Sequence, residues 1–262
     1  MSMLAIGKLS LAVAIASVSA TAVLAAECPA SSAALGTSRV LSVKPTDFPL
    51  VGKLEYQETL RLNDREVVLT FDDGPSAPYT SNVLDILAAE CVKATFFVAG
   101  NATADAPDLV RRAFNEGHTI GSHTFENSKL DQVPFDQAKA DIEKGITAVA
   151  DAIGGRNDVA PFFRAPDFEI SKQVERYALS KGLMIWSADV DTEDWNEPSE
   201  DEFVTRAVSG LEKEGKGILL MHDSQPVTAR ALRQLLAALK AKQFKIVHVV
   251  PTKAPVTTGS SR

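Results

Sequence analysis

The stretch Glu66–Pro75, EVVLTFDDGP, decides the reading of this chain, because an apolar run suited to a buried strand stops at two adjacent aspartates. Val67, Val68, Leu69 and Phe71 supply the β-branched and aromatic residues of a strand, and Asp72-Asp73-Gly74-Pro75 supplies the turn that ends it. Two carboxylates are thereby delivered to the carboxyl end of a core strand. In open α/β sheets and α/β barrels, ligands and chemistry collect at that end, on loops that a rigid scaffold positions. A lone Asp-Asp-Gly is equally an ordinary strand-to-turn junction. The rest of the chain gives it a different meaning.

Downstream of Pro75 the apolar pattern switches regularly between periods of about 3.6 and runs of strand length. The spacing predicts helices over 78–90, 106–116, 134–153, 171–180, 201–214 and 227–242. Strands are expected at ATFFVAG from Ala94, HTIGSH from His118, PFFRAP from Pro161, LMIWSADV from Leu183, GILLMH from Gly217 and FKIVHVV from Phe244. Strands alternating with helices at this interval imply right-handed crossovers and a parallel sheet. The fold class is therefore α/β, a distorted, TIM-like (β/α) barrel. Seven strands are one short of the common eight, so the barrel is expected to be irregular or gapped.

Upstream, residues 30–60 show no clear period and hold Pro45 and Pro49, so 27–64 reads as an N-terminal arm lying over a domain at 65–252. Residues 1–26 carry Lys8, then LSLAVAIASVSATAVLAA, then Glu27, the pattern of a secretory signal peptide cleaved after Ala25 or Ala26. An uncleaved membrane anchor is the competing reading of that run. Export places the two cysteines, Cys28 and Cys91, where thiols oxidise, which leaves either a disulfide or two free thiols open. Residues 253–262 are polar and expected to fray. The formal net charge of −7 argues against a nucleic-acid partner and offers no polybasic patch to an anionic membrane.

The polar residues that need explaining all fall just past strand ends. Asp72 and Asp73 follow the first strand, His123 and Asn127 the third, and Arg164 the fourth. Asp191, Asp194 and Trp195 follow the fifth, and His222 and Asp223 the sixth. Five strands deliver charged or metal-capable groups to one rim, which random surface polarity does not do.

The segments TFDDGP (Thr70–Pro75), GHTIGSHTFEN (Gly117–Asn127), FRAP (Phe163–Pro166), DTEDW (Asp191–Trp195) and LMH (Leu220–His222) resemble, in order and spacing, the five motifs of the NodB-homology polysaccharide deacetylases, carbohydrate esterase family four. The resemblance spans about residues 66–250. It implies a distorted (β/α) barrel and metal-dependent removal of acetyl groups from amino sugars or acetylated polysaccharides. Acetamide hydrolysis needs a nucleophilic water, a stabilised oxyanion and a proton for a poor leaving group, and a divalent metal assists the first two.

By that resemblance Asp73 and His123 are metal ligands, Asp72 is the general base, and Arg164 holds and orients it. His222 is the general acid, partnered by Asp191 or Asp194. Leu220 and Trp195 line the pocket for the acetyl methyl, and the main-chain N–H of Asp167 faces the oxyanion. Two positions depart from the family pattern. Asn127 stands where a second histidine is usual; its amide oxygen is a weaker zinc ligand, so looser or less selective metal binding is expected. Asp167 stands where an aromatic residue is usual, which removes the aromatic wall and adds a carboxylate that could supplement the metal shell. His118, five residues from His123 along a strand, falls on the opposite face and is not expected to be a ligand; His248 reads as structural.

The expected cofactor is a divalent metal, zinc first, with cobalt or another ion possible. The expected partner is an acetylated glycan, of the chitooligosaccharide or peptidoglycan type, with no nucleic acid and no stable membrane span after signal cleavage; a monomer is expected. An O-acetyl esterase acting on a xylan-type polymer, or a glycan-binding barrel that has lost its metal, are the alternatives.

Overall fold

A computed structural model describes residues 34–252. The signal segment at 1–26, Cys28 and the tail at 253–262 lie outside the described residues. The organising strand is β3 (Glu66–Asp72), buried at all seven positions. Its side chains alternate between two environments, as those of a strand must. Val67, Leu69 and Phe71 join the core that the helices cover, whereas Val68 joins a second cluster inside the barrel with Phe97, Phe162, Trp186, Ile218 and Leu220. Thr70 and Asp72, on the same face as Val68, therefore look inward.

On one side β3 pairs in parallel with β9 (Gly217–His222), from Val67 opposite Gly217 to Asp72 opposite His222. On the other side its end pairs with β4 (Thr95–Val98), which pairs with β5 (Thr119–Ser122). The sheet continues through β6 (Phe162–Phe163) to β7 (Met184–Trp186). After β7 the chain leaves β6 and forms β8 (Val190–Asp191), which pairs with β9. The sheet thus turns through a barrel-like course without closing, with its gap between β7 and β8. Asp189, in that gap, is buried and bonds across it. Its Oδ2 accepts the Ile218 N–H and the Thr59 hydroxyl, both at 2.7 Å, and its Oδ1 accepts the Lys53 N–H at 2.9 Å.

The helices α1 (Tyr79–Ala89), α3 (Pro107–Asn115), α4 (Phe135–Ile153), α5 (Lys172–Ser180), α6 (Glu200–Glu214) and α7 (Pro226–Ala241) fall where periodicity predicts them. Ser171 caps α5, and Ser199 with Glu202 forms a capping box at α6. A short α2 (Gly100–Asp105) is additional, because Gly-Asn-Ala-Thr reads as a turn.

The segment read as an irregular arm differs most from expectation. It contributes β1 (Thr37–Val43), parallel to β10 (Lys245–Pro251), and β2 (Leu50–Val51), parallel to β7. β1 carries Ser and Arg among its apolar residues because it lies at a sheet edge with alternate positions exposed, which dilutes the strand signal. The seventh expected strand, β10, forms but is not a stave at the mouth: it pairs with β1 and with only Glu66 and Val67 of β3. Cys91 is disulfide-bonded, and no described cysteine is free. Among the described residues, no helix is long and apolar enough to cross a membrane.

Candidate active site

The carboxyl ends of β3, β5, β6, β8 and β9 surround a cavity of about 260 Å³. Of the eleven residues given a role from the sequence, nine line it: Asp72, Asp73, His123, Asn127, Asp167, Asp191, Trp195, Leu220 and His222. The other two, Arg164 and Asp194, are fully buried and each grips one of the nine.

Arg164 donates from Nη1 to Asp72 Oδ1 at 2.7 Å and to Thr70 Oγ1 at 2.9 Å, and from Nη2 to the Ser187 carbonyl at 2.8 Å. Its guanidinium also stacks over the Phe97 ring at 4.3 Å. Inward-facing Thr70 and Asp72 are two residues apart on β3, so one guanidinium bridges both. Asp72 is left with Oδ2 toward the His123 Nδ1, 4.0 Å away.

The second grip resolves the alternative left open above. Asp194 Oδ1 accepts the His222 Nδ1–H at 2.6 Å, and Asp194 Oδ2 accepts both the His222 main-chain N–H at 2.7 Å and the Thr228 hydroxyl. Asp191 instead accepts the Glu193 N–H at 2.8 Å, and burial raises its carboxyl pKa. Burial works against a charged imidazole at His222. The hydrogen bond and charge of Asp194, with the charges of Asp72 and Asp73, outweigh that and raise its pKa to about 10. With Nδ1 engaged, Nε2 of this imidazolium is the nitrogen left for the cavity.

Asp73 leaves the strand with φ of 71°, a left-handed conformation that swings its side chain off the alternation of β3. Its Oδ1 lies 3.3 Å from His123 Nε2 and accepts the Asn127 amide at 3.1 Å. Burial raises the Asp73 carboxyl, but the hydrogen bond and charge of His123 prevail and bring it down to about 2. Asn127 does not arrive by a helical turn. Thr124 and Asn127 both adopt positive φ, and the turn is tied by Asn127 N–H to Thr124 Oγ1 and by the Phe125 and Glu126 N–H groups to Asp141 Oδ1.

A carboxylate oxygen and an imidazole nitrogen 3.3 Å apart fit one shared divalent ion, since two donors each about 2.1 Å from a metal are separated by about this much. The amide of Asn127 stands beside them, and no group of three or more His, Cys, Asp or Glu side chains suited to a metal occurs among the described residues. Asp73 and His123 are the two metal-capable side chains here, and the Asn127 amide donates to the first of them. His118 is buried at the far end of β5, accepting the Ala94 N–H, and His248 bonds Thr119; neither approaches the cavity.

The rim bears on three expectations. Asp167 directs its exposed carboxylate to Lys129 at 3.2 Å, so its charge is already partnered at the surface. The aromatic wall is not lost: Phe168, also at positive φ, lines the cavity and packs against the interior cluster. Trp195 is 57 % exposed and stands at the mouth, whereas Leu220, 4 % exposed, is the apolar floor. Phe168, Thr70, Thr228 and Ser187 were not singled out from the sequence. A Phe one residue from an expected aromatic was a readable signal, but a hydroxyl or carbonyl that buttresses a charge has none.

Comparison with known proteins agrees with this geometry. The polysaccharide deacetylase family model matches residues 60–186. The chain is 37% identical over 186 residues to the peptidoglycan-N-acetylglucosamine deacetylase of Listeria monocytogenes, covering 71% of this chain and 38% of that protein. It is 31% identical over 201 residues to the chitooligosaccharide deacetylase of a Bradyrhizobium species, covering 71% of this chain and 90% of that protein. The structure superposes on a peptidoglycan deacetylase of Bdellovibrio bacteriovorus with a TM-score of 0.75 and 28% identity, over 87% of this chain and 63% of that one. The chain thus spans little more than a third of the Listeria relative. On the matched motifs, the relative covered almost end to end and the common architecture, the chain belongs to the polysaccharide deacetylase family.

Proposed function

We propose that this protein is a metal-dependent hydrolase that removes N-acetyl groups from N-acetylglucosamine-containing glycans of the chitooligosaccharide or peptidoglycan type. One observation carries the reading: Asp72 and His222 are register partners on adjacent strands, each gripped by its own buried counter-charge, at a cavity that also holds the Asp73–His123 pair. A pure binding site has no use for a held carboxylate, a held imidazolium and an ion-binding pair together.

Asp73 and His123, with Asn127, would hold the ion, and zinc suits the imidazole and carboxylate best. When bound, it acidifies a water and polarises the acetamide carbonyl. Asp72, oriented by Arg164, would accept a proton from the attacking water as the water oxygen bonds to the carbonyl carbon. The Asp167 main chain, at the cavity wall, offers an N–H to the oxygen that gains charge. His222 then gives its Nε2 proton to the nitrogen as the C–N bond breaks, leaving acetate and a free amine. Leu220 and Phe168 provide apolar surface for the acetyl methyl, and exposed Trp195 offers a face for a sugar ring.

Export belongs to the same proposal. The signal-like segment motivates it, and the disulfide-bonded Cys91 suits an oxidising compartment. The test is acetate release from N-acetylated chitooligomers, peptidoglycan and O-acetylated xylan, before and after chelation and after zinc is restored. Chelator-sensitive release from the first two supports the proposal; release from xylan alone, or none from any polymer, overturns it.

A further inference from the structure

Asp223, the residue after His222, is buried, and no step of the proposed reaction uses it. From the end of β9 its carboxylate crosses to the turn that follows β3. Oδ1 accepts the Gly74 N–H at 3.2 Å, and Oδ2 accepts the Thr80 hydroxyl at 2.6 Å. Thr80 Oγ1 in turn accepts the Ser76 N–H at 2.7 Å, and the Thr80 N–H returns to the Ser76 carbonyl at 2.8 Å. One carboxylate therefore secures Gly74 directly and Ser76 through a single hydroxyl.

The absence of a side chain at 74 makes room for it. A Cβ on Gly74 would lie 2.0 Å from Asp223 Oδ2 and 2.4 Å from its Cγ, so the carboxylate occupies the volume that any other side chain at 74 would need. The Ala99 N–H holds the Gly74 carbonyl from the other side at 3.1 Å. Between these restraints and β3 stands Asp73, a non-glycine residue at φ of 71°. Such a conformation persists only where its surroundings enforce it. The same φ is what carries the Asp73 carboxylate to within 3.3 Å of His123, away from the helix-covered face to which strand alternation would send it.

We propose that Asp223 is the positioning residue for Asp73: its carboxylate clamps Gly74 and Thr80 so that Asp73 stays in the left-handed conformation that presents its oxygen to His123 and the expected ion. The ion-binding part rests on the function proposed above; the clamp itself does not. Outer groups that orient a metal ligand are each worth about 10- to 100-fold in affinity. Asp223→Ala is expected to weaken Co²⁺ binding by about that factor, to alter the visible Co²⁺ spectrum, and to speed amide exchange at residues 73–76 in metal-free protein. Asp223→Asn keeps an acceptor for Gly74, and its amide can donate to Thr80 Oγ1, so it is expected to bind Co²⁺ within about threefold of wild type.

Unchanged Co²⁺ affinity and unchanged exchange in folded Asp223→Ala would overturn the proposal. So would Asp223→Asn falling as far as alanine, which would mean that charge, not the two hydrogen bonds, matters. If Asp223→Ala does not fold, Thr80→Val removes the hydroxyl's bonds to Asp223 and to Ser76 and no charge, and is read the same way: faster exchange at residues 73–76 supports the clamp, and wild-type exchange refutes it. Exchange is measured without metal or substrate, so failure of the deacetylase reading and failure of the clamp register in different experiments.

Discussion

Replacing Asp194 with asparagine tests the proton-donor half of the site. Both Asp194 oxygens are acceptors, Oδ1 for the His222 ring and Oδ2 for the His222 N–H and the Thr228 hydroxyl. An asparagine satisfies the latter two donors only by turning its carbonyl toward them, which points its NH₂ at Nδ1 and requires a neutral ring there. The imidazolium then loses both the hydrogen bond and the charge that raise it to about 10, while burial still lowers it and Asp72 and Asp73 still raise it. Taking its ordinary value of 6.5 for the variant, the loss of about 3.5 pKa units corresponds to about 5 kcal/mol of imidazolium stabilisation. At pH 8 the ring would pass from almost wholly protonated to about 3% protonated, so kcat/KM should fall about thirtyfold or more. At pH 6 the protonation deficit should shrink to less than about twofold. The assay is the pH profile of deacetylation for both proteins, paired with ¹⁵N NMR of the His222 ring and a thermal unfolding control. An alkaline limb near pH 10 in both proteins, or a neutral His222 ring at pH 8 in the wild type, would refute the assignment.

Further outcomes follow from other parts of the structure. Asn127→His should tighten zinc binding at least about tenfold, measured by calorimetry, because imidazole is the better ligand and His tolerates the φ of 57° at this exposed turn; unchanged affinity would remove residue 127 from the metal shell. His118 and His248 are held neutral by burial, with pKa values lowered from 6.5 to about 3 and about 4. Because the unfolded chain binds those protons first, stability is full above pH 6.5 and declines below it, by about 1.4 kcal/mol per histidine between pH 7.5 and 5.5. His248→Gln should lose about 1.4 kcal/mol less than wild type over that range in urea unfolding, and an unchanged loss would show that His248 is not neutral in the fold. Glu66 accepts two bonds from Arg39 and two from Asn63, with the Arg39 bond, against burial, drawing its carboxyl down to about 2. That contribution is present above pH 4.5 and lost toward pH 2, and Glu66→Gln should cost about 2 kcal/mol at pH 7 because β1 loses its ionic tie to β3. A cost below about 0.5 kcal/mol would show the tie to be an ordinary surface pair.

Much of this molecule was legible because its signals are local. A run such as Val67–Phe71 reports a strand buried on both faces, and Ser171 announces a helix start, whatever lies around them. The edge strand β1 was not legible, since its exposed side carries Val40 and its covered side Arg39, so polarity does not follow the alternation of burial that periodicity detects. Nor could a pattern of strands show that β9 would pair with β3 directly while β10 is set aside to hold β1. Strand order is a long-range choice, made by which apolar faces fit together.

The site divides in the same way. The residue types at the strand ends, and hence the capacity for ion binding and proton transfer, were set by the sequence through short motifs. Whether Asp191 or Asp194 holds His222, whether the Asp167 carboxylate serves the metal or Lys129, and whether Phe168 replaces the missing wall were decided only by the tertiary structure. Each of these turns on the dihedral angles of a loop residue and on the distance between loops far apart in the chain, quantities that burial periodicity does not encode. Asp73 is the clearest instance: its motif names it, but the left-handed turn beside Gly74 aims it at His123.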